Sequence, residues 1–255
     1  MKYEIDLDSN TLAVTRGNET EKLPLYGKEA FELVSDLWMK TGWNQKYSYT
    51  FSWMGRPVIQ HPEDMVRLQE VIYDLSPDVI VETGVAHGGS LIYMASLFKA
   101  MGKPGKIIGV DIEVRPHNLK AIQEHELFDF ITLIIGDSAA PEIVEQVQSH
   151  IKPDDKVLVI LDSDHSKAHV TRELNAYHSL VTKGSYIVST DGLMQDLHDV
   201  PRGDKGWDTD NPAAAAREFA EAHPEFEIRQ PDWPFNESDL TKNITGWPEA
   251  WLLRK

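Results

Sequence analysis

The sequence predicts an α/β protein: a parallel sheet with helices packed on both faces. Three observations carry this. From residue 62 onward, short apolar runs alternate with helix-length segments. The runs, such as VLVIL, are apolar throughout rather than alternating, as strands buried on both faces require. Each run ends at or just before an acid: Glu82, Asp111, Asp137, Asp162 and Asp191.

The elements follow in order. Residues 1–27 alternate weakly and are expected to form a hairpin turning near Gly17-Asn18. KEAFELVSDLWMK, residues 28–40, has helical apolar spacing. Residues 41–60 hold Trp43, Tyr47, Tyr49, Phe51 and Trp53 among turn formers, and are expected to pack on the main body or on another subunit, or to wall a ligand site. A helix over 62–75 opens with Pro62 and with Glu63 and Asp64 at the positive end of its dipole. Strands are expected at 79–83, 106–111, 130–136 and 156–161, with a fifth over SYIVST ending at Asp191; helices are expected at 89–101, 116–125, 140–151 and 166–182. Residues 192–210 form a long loop, Asn211-Pro212 starts a helix, and two final strands suggest an antiparallel pair at the sheet edge.

Composition narrows the function. The 255 residues suit one large α/β domain with an added segment. No apolar run approaches the roughly 20 residues of a membrane span. The acidic N-terminus does not read as a signal peptide, and the absence of cysteine removes disulfides and thiolate metal sites, so a cytoplasmic protein is expected. A net charge of −16 argues against a nucleic-acid partner, whose phosphates demand Lys and Arg.

VETGVAHGGS, between the first parallel strand and its helix, sits where open α/β sheets bind ligands. Its spacing is not GxGxxG, which disfavours a nicotinamide oxidoreductase. An acid at the first loop and another after the second strand suit a ligand that carries both an ammonium group and ribose hydroxyls. Five acids on one rim repel one another unless a ligand or metal offsets them.

These residues resemble the class I S-adenosylmethionine-dependent methyltransferases. Glu82, Gly84, Gly88 and Gly89 look like their first motif, Asp111 like their ribose acid, and Gly136-Asp137-Ser138 like their adenine-contacting turn. PEDMVRLQEVIYDLSPDVIVETGVAHGGS and LDSDHS are similar to the family named after cephalosporin hydroxylase and rhamnosyl O-methyltransferase. The resemblance implies a Rossmann-like doubly wound seven-stranded sheet, mostly parallel with a reversed C-terminal β-hairpin, over residues 62–255. It leaves 1–61 as an N-terminal extension for oligomerisation or as a lid. It implies an O-methyltransferase acting on a hydroxyl of a small molecule or sugar, in a homo-oligomer. Glu82, Thr83, Gly84, His87, Gly88, Gly89, Ser90, Asp111, Asp137, Ser138 and Asp162 would bind the cofactor.

Metal-using relatives such as catechol O-methyltransferase take acids from the ends of the fourth and fifth strands. Asp162 and Asp191 occupy those places, with Asp164 as a third candidate ligand, and their oxygens suit Mg²⁺. Thr190 and Gly192 stand where such relatives carry another acid or an amide, which leaves a non-catalytic cofactor-binding scaffold as an alternative. His165, three residues past Asp162, matches the place of the catalytic lysine in the catechol enzyme and is the candidate general base, with Asp162 beside it. His169 and His198 are weaker candidates, and Trp207, Trp233 and Trp247 are candidates for a ring-stacking wall or for the core.

Overall fold

The structure is a computed structural model describing residues 1–255. The chain opens with three strands, β1 (Lys2–Asp6), β2 (Thr11–Arg16) and β3 (Glu19–Pro24), paired as an antiparallel meander. The expected hairpin turn at Gly17-Asn18 joins β2 to β3. The additional strand, β1, was not expected: Tyr3 and Ile5 alternate with acids and its face is largely exposed, so its apolar signal is weak. Leu12, Val14, Leu23 and Ala30 bury a small core between this meander and α1 (Lys28–Asn44).

A 3-10 turn at Tyr47–Thr50 leads into the short hairpin β4 (Phe51–Trp53) and β5 (Arg56–Val58). Trp53 packs on the main body, whereas Tyr49 is exposed. Trp53 stacks edge-on against Tyr93 at 5.0 Å, and its indole donates to Ser96. Tyr47 meets Phe51 edge-on at 5.0 Å.

The main body runs α2 (Pro62–Leu75), β6 (Val79–Thr83), α3 (Gly89–Met101), β7 (Lys106–Asp111), α4 (Pro116–Gln123), β8 (Ile131–Ile135), α5 (Pro141–Ser149), β9 (Val157–Leu161), α6 (Lys167–Tyr177), β10 (Tyr186–Ser189), α7 (Pro212–Ala222), β11 (Phe226–Ile228) and β12 (Trp251–Arg254). The helix expected over 166–182 stops earlier, at Tyr177, and passes through a 3-10 turn at His178–Leu180.

The sheet order is β11-β12-β10-β9-β6-β7-β8. β8, β7, β6, β9 and β10 are parallel, and β12 is antiparallel to both neighbours. The two final strands thus form the antiparallel pair expected at the sheet edge, and the last strand, β12, is its inner member, between β10 and the edge strand β11. Its sequence shows why: Trp251 and Leu252 are buried, as an inner strand requires. Every residue of β6 and β9 is buried. Ile80, Leu158 and Ile160 pack on one sheet face, with α2 and α3; Val81, Val157 and Val159 pack on the other, with α6 and α7. Each such side chain contributes about 1.5–3 kcal/mol of burial. The order steps from β6 leftward to β9 and rightward to β7, so the loops after β6 and β9 diverge and open a crevice at the carboxyl rim. No helix is long and apolar enough to cross a membrane.

Candidate active site

The loop after β6 is held open from several sides. Gly84 has φ +89°, and a Cβ there would lie 1.9 Å from the Asp162 carbonyl oxygen. At Gly89 a Cβ would lie 2.0 Å from the Pro57 carbonyl. Both glycines are thus required by neighbouring backbone of the protein itself. Asp111 Oδ2 accepts from the Val85 and Ala86 amides at 2.7 and 3.1 Å. Arg56 donates to the His87 carbonyl at 2.6 and 3.0 Å and to Asn118, which donates in turn to the Ala86 carbonyl. The loop is fixed before any ligand arrives.

A cleft of about 190 Å³ opens beside it, lined by Gly84–His87, Gly89, Ser90, Asp162, Ser163, His165 and Asp191, with Tyr49 and Pro57–Gln60 as the opposite wall. Of the expected cofactor residues, Gly84, His87, Gly89, Ser90 and Asp162 line it. Glu82 and Thr83 lie behind the wall. Glu82 is buried and accepts from the Ser90 hydroxyl at 2.8 Å, and burial pushes its carboxyl up to about 8. Gly88 sits against Ile122. Asp111 braces the loop and does not line the cleft. Asp137 and Ser138 also lie outside it: Asp137 pairs with Arg172 at 2.8 Å, and Ser138 donates to Glu173 at 2.5 Å.

At the ends of β9 and β10, Asp162, His165 and Asp191 each bring one ligand-type atom within 4.8 Å of the others. His165 Nε2 lies 3.4 Å from Asp191 Oδ2. Asp191 reaches this place from a left-handed turn, φ +55°. Asp162 is held on both oxygens: Thr190 donates to Oδ1 at 2.5 Å and Gln60 to Oδ2 at 2.8 Å. Burial, and then the Asp191 charge, hold the Asp162 carboxyl well above the usual range. Burial works against a charged His165, but the carboxylates of Asp191, Asp162 and Asp164 outweigh it and leave the imidazole more basic than usual. Asp164 does not join the cluster. It is exposed, and its carboxylate accepts from the Ser166 amide, because it belongs to the turn that starts α6.

Several residues at the site were not expected in the roles the structure gives them. Gln60 and Thr190 hold Asp162. Glu173, fully buried on α6, accepts from Ser138 and from Ser163 at 2.7 Å and lies 3.3 Å from His169. His61 and Asp64 are buried beside Asp191, where Asp64 accepts from Thr245 and from the Gly246 amide at 2.8 Å. Burial pushes the Asp64 carboxyl up to about 7. Gln60, His61 and Asp64 sit together just before and within the start of α2, in the polar stretch QHPED, where nothing sets them apart from ordinary helix-entry residues. His198 is exposed and bonded to the Gln195 carbonyl. Trp247 is buried core, Trp207 packs on Trp43, and Trp233 lies under Arg67. None of these three rings lines the cleft.

The family described as Rhamnosyl O-methyltransferase/CmcI matches residues 45–255. The chain belongs to this family. Among relatives of the Rhamnosyl O-methyltransferase/CmcI family, the rhamnosyl O-methyltransferase of Mycobacterium leprae (strain TN) is 34% identical over 155 residues, which are 60% of this chain and 65% of that protein. The rhamnosyl O-methyltransferase of Mycobacterium bovis (strain BCG / Pasteur 1173P2) is 32% identical over 142 residues, 55% of this chain and 56% of that protein. The aligned part thus spans less than two thirds of either relative. Two solved CmcI structures share the fold. An apo structure has a TM-score of 0.54 at 19% identity, covering 81% of this chain and 76% of that one. One with Mg and S-adenosylmethionine has a TM-score of 0.53 at 20% identity, covering 81% and 77%.

Proposed function

We propose that this member of the Rhamnosyl O-methyltransferase/CmcI family transfers a methyl group from S-adenosylmethionine to a hydroxyl of a sugar or similar small acceptor. The observation that carries the reading is the Asp162–His165–Asp191 cluster facing the glycine loop across one cleft. S-adenosylmethionine, when bound, supplies a methyl group on a positively charged sulfur. The loop from Gly84 to Ser90, braced by Asp111, Arg56 and Asn118, orients it, and fixed orientation lowers the barrier without new chemistry. The His165 imidazole would take the proton of the acceptor hydroxyl as the methyl group is transferred. The Asp191 carboxylate, 3.4 Å from Nε2, makes the imidazole as a whole more basic.

The carboxylates fit a divalent cation. Two acids share one site, one of them driven toward protonation by burial and by the other's charge, and hard oxygen donors suit Mg²⁺. Asp162 and Asp191 would hold it. A cation there would acidify the acceptor hydroxyl. Both mycobacterial relatives are named for a rhamnosyl acceptor, and this supports a sugar. Phe31, Val34 and Trp38 lie exposed at helical spacing on α1, which supports assembly with further copies of the chain.

Calorimetric titration of S-adenosylmethionine with and without Mg²⁺, followed by turnover on a panel of glycosides, tests the reading. Micromolar binding with methyl transfer to a hydroxyl is expected. Absence of cofactor binding in both conditions overturns it.

A further inference from the structure

A second cluster lies at the opposite end of the sheet. His178 follows the last turn of α6, and His223 and Glu225 lie between α7 and β11. The β-register places them at the rim where the parallel strands begin: Phe226 pairs with Arg254, beside the pair of Leu253 with Tyr186, the first residue of β10. The Asp162 cluster sits where those strands end. One ligand-type atom from each of His178, His223 and Glu225 lies within 4.8 Å of the others.

The imidazoles are oriented and walled. His178 Nδ1 lies 3.0 Å from the Asn175 carbonyl and 3.2 Å from that of Leu174. Carbonyl oxygens only accept, so Nδ1 carries the proton and Nε2 presents a lone pair. A backbone carbonyl behind the ring is the usual support of a metal-binding histidine. His223 stacks on Phe219 at 4.1 Å and 19°, and the His178 ring stands edge-on to Phe219 at 5.7 Å. The two imidazoles are 4.9 Å apart. His223 Nδ1 lies 3.1 Å from Glu225 Oε1. A tetrahedral zinc site with bonds of about 2.0–2.1 Å has ligand–ligand edges of about 3.3 Å, so this pair already stands at an edge length and His178 needs to close by no more than about 1.5 Å.

We propose that His178, His223 and Glu225 form a binding site for a zinc-class transition cation, with solvent completing the coordination. Two imidazoles and one carboxylate select such ions over Mg²⁺, which prefers oxygen ligands throughout. The bound ion ties the end of α6 to the turn entering β11, the edge strand of the sheet. The site is independent of the methyl-transfer reading.

The test uses tag-free protein carrying Asp162→Asn and Asp191→Asn, which silences the other carboxylate–imidazole cluster. Co²⁺ is titrated by its visible absorption and then displaced with Zn²⁺. One equivalent per chain is expected, with no displacement by excess Mg²⁺ and a rise in Tm on adding Zn²⁺. His223→Phe keeps the ring stack on Phe219 and removes a ligand; it and Glu225→Gln should each weaken binding at least tenfold without lowering the Tm of the metal-free protein. Unchanged affinity in His223→Phe, His178→Gln and Glu225→Gln, or no one-to-one complex at millimolar Co²⁺, overturns the proposal.

Discussion

Gln60 donates a 2.8 Å hydrogen bond to Asp162 across a separation of 102 residues. The amide comes from the segment entering α2 and the carboxylate from the end of β9, so the wall of the cleft and its reactive rim are joined at one atom pair. Thr190 closes the other side of the same carboxylate. Asp162 is therefore aimed by residues that carry no charge of their own.

Gln60→Ala should slow methyl transfer while leaving S-adenosylmethionine affinity within about threefold. A hydrogen bond to a charged group is worth about 1.5–3 kcal/mol, so a fall in kcat of about ten- to a hundredfold is expected. Steady-state kinetics beside calorimetry reads both quantities, and an unchanged kcat would show that Asp162 needs no such support.

His165→Ala and Asp191→Asn should each reduce turnover by about 10²–10⁴, the usual contribution of a positioned proton acceptor. His165 is partly exposed at the cleft and packs in no apolar core cluster, so its loss should change the thermal midpoint little. Full turnover in His165→Ala would remove it from the reaction.

Gly84→Ala should destabilise the protein by at least about 2 kcal/mol, since the new methyl meets the Asp162 carbonyl and the backbone is left-handed. Denaturant unfolding measures this. The comparison variant Gly102→Ala shares the positive φ but has open space around its Cβ, so it should cost less. Equal losses would show that conformation, and not the close approach of β9, sets the requirement.

Stability should depend on pH through Glu82. Burial raises its folded value to about 8 from an ordinary value of 4.5, so the folded protein holds a proton that the unfolded chain releases. The contribution is present in full below about 4.5 and is lost as pH rises toward 8. Glu82→Gln keeps an acceptor for Ser90 and removes the titration, so its unfolding free energy should fall less than that of the parent between pH 5 and pH 8. Parallel profiles would place the proton elsewhere.

Local chemistry alone determined the strands, helices and carboxyl-rim acids of this protein. Fully apolar runs such as VLVIL have one stable environment, the middle of a covered sheet, and Pro62, Gly102 and Asn211 mark helix ends by their own backbone preferences. Asp162 and Asp191 were legible as rim acids for the same reason, because strand ends in this topology converge on one rim, whereas His165 was singled out through the resemblance to the catechol enzyme. Tertiary structure decided which acids share a cleft. Asp164 is one turn residue away from the cluster and outside it, Glu82 is sealed behind Ser90, and Asp137 is drawn off by Arg172. It also decided the supports, Gln60, Thr190, Arg56, Asn118 and Glu173. Their partners lie tens of residues away, and a hydrogen bond between distant segments leaves no period in the sequence. The place of β12 between β10 and β11 belongs to the same class: burial of Trp251 and Leu252 is local information, but the identity of the neighbours that bury them is set only when the whole sheet closes.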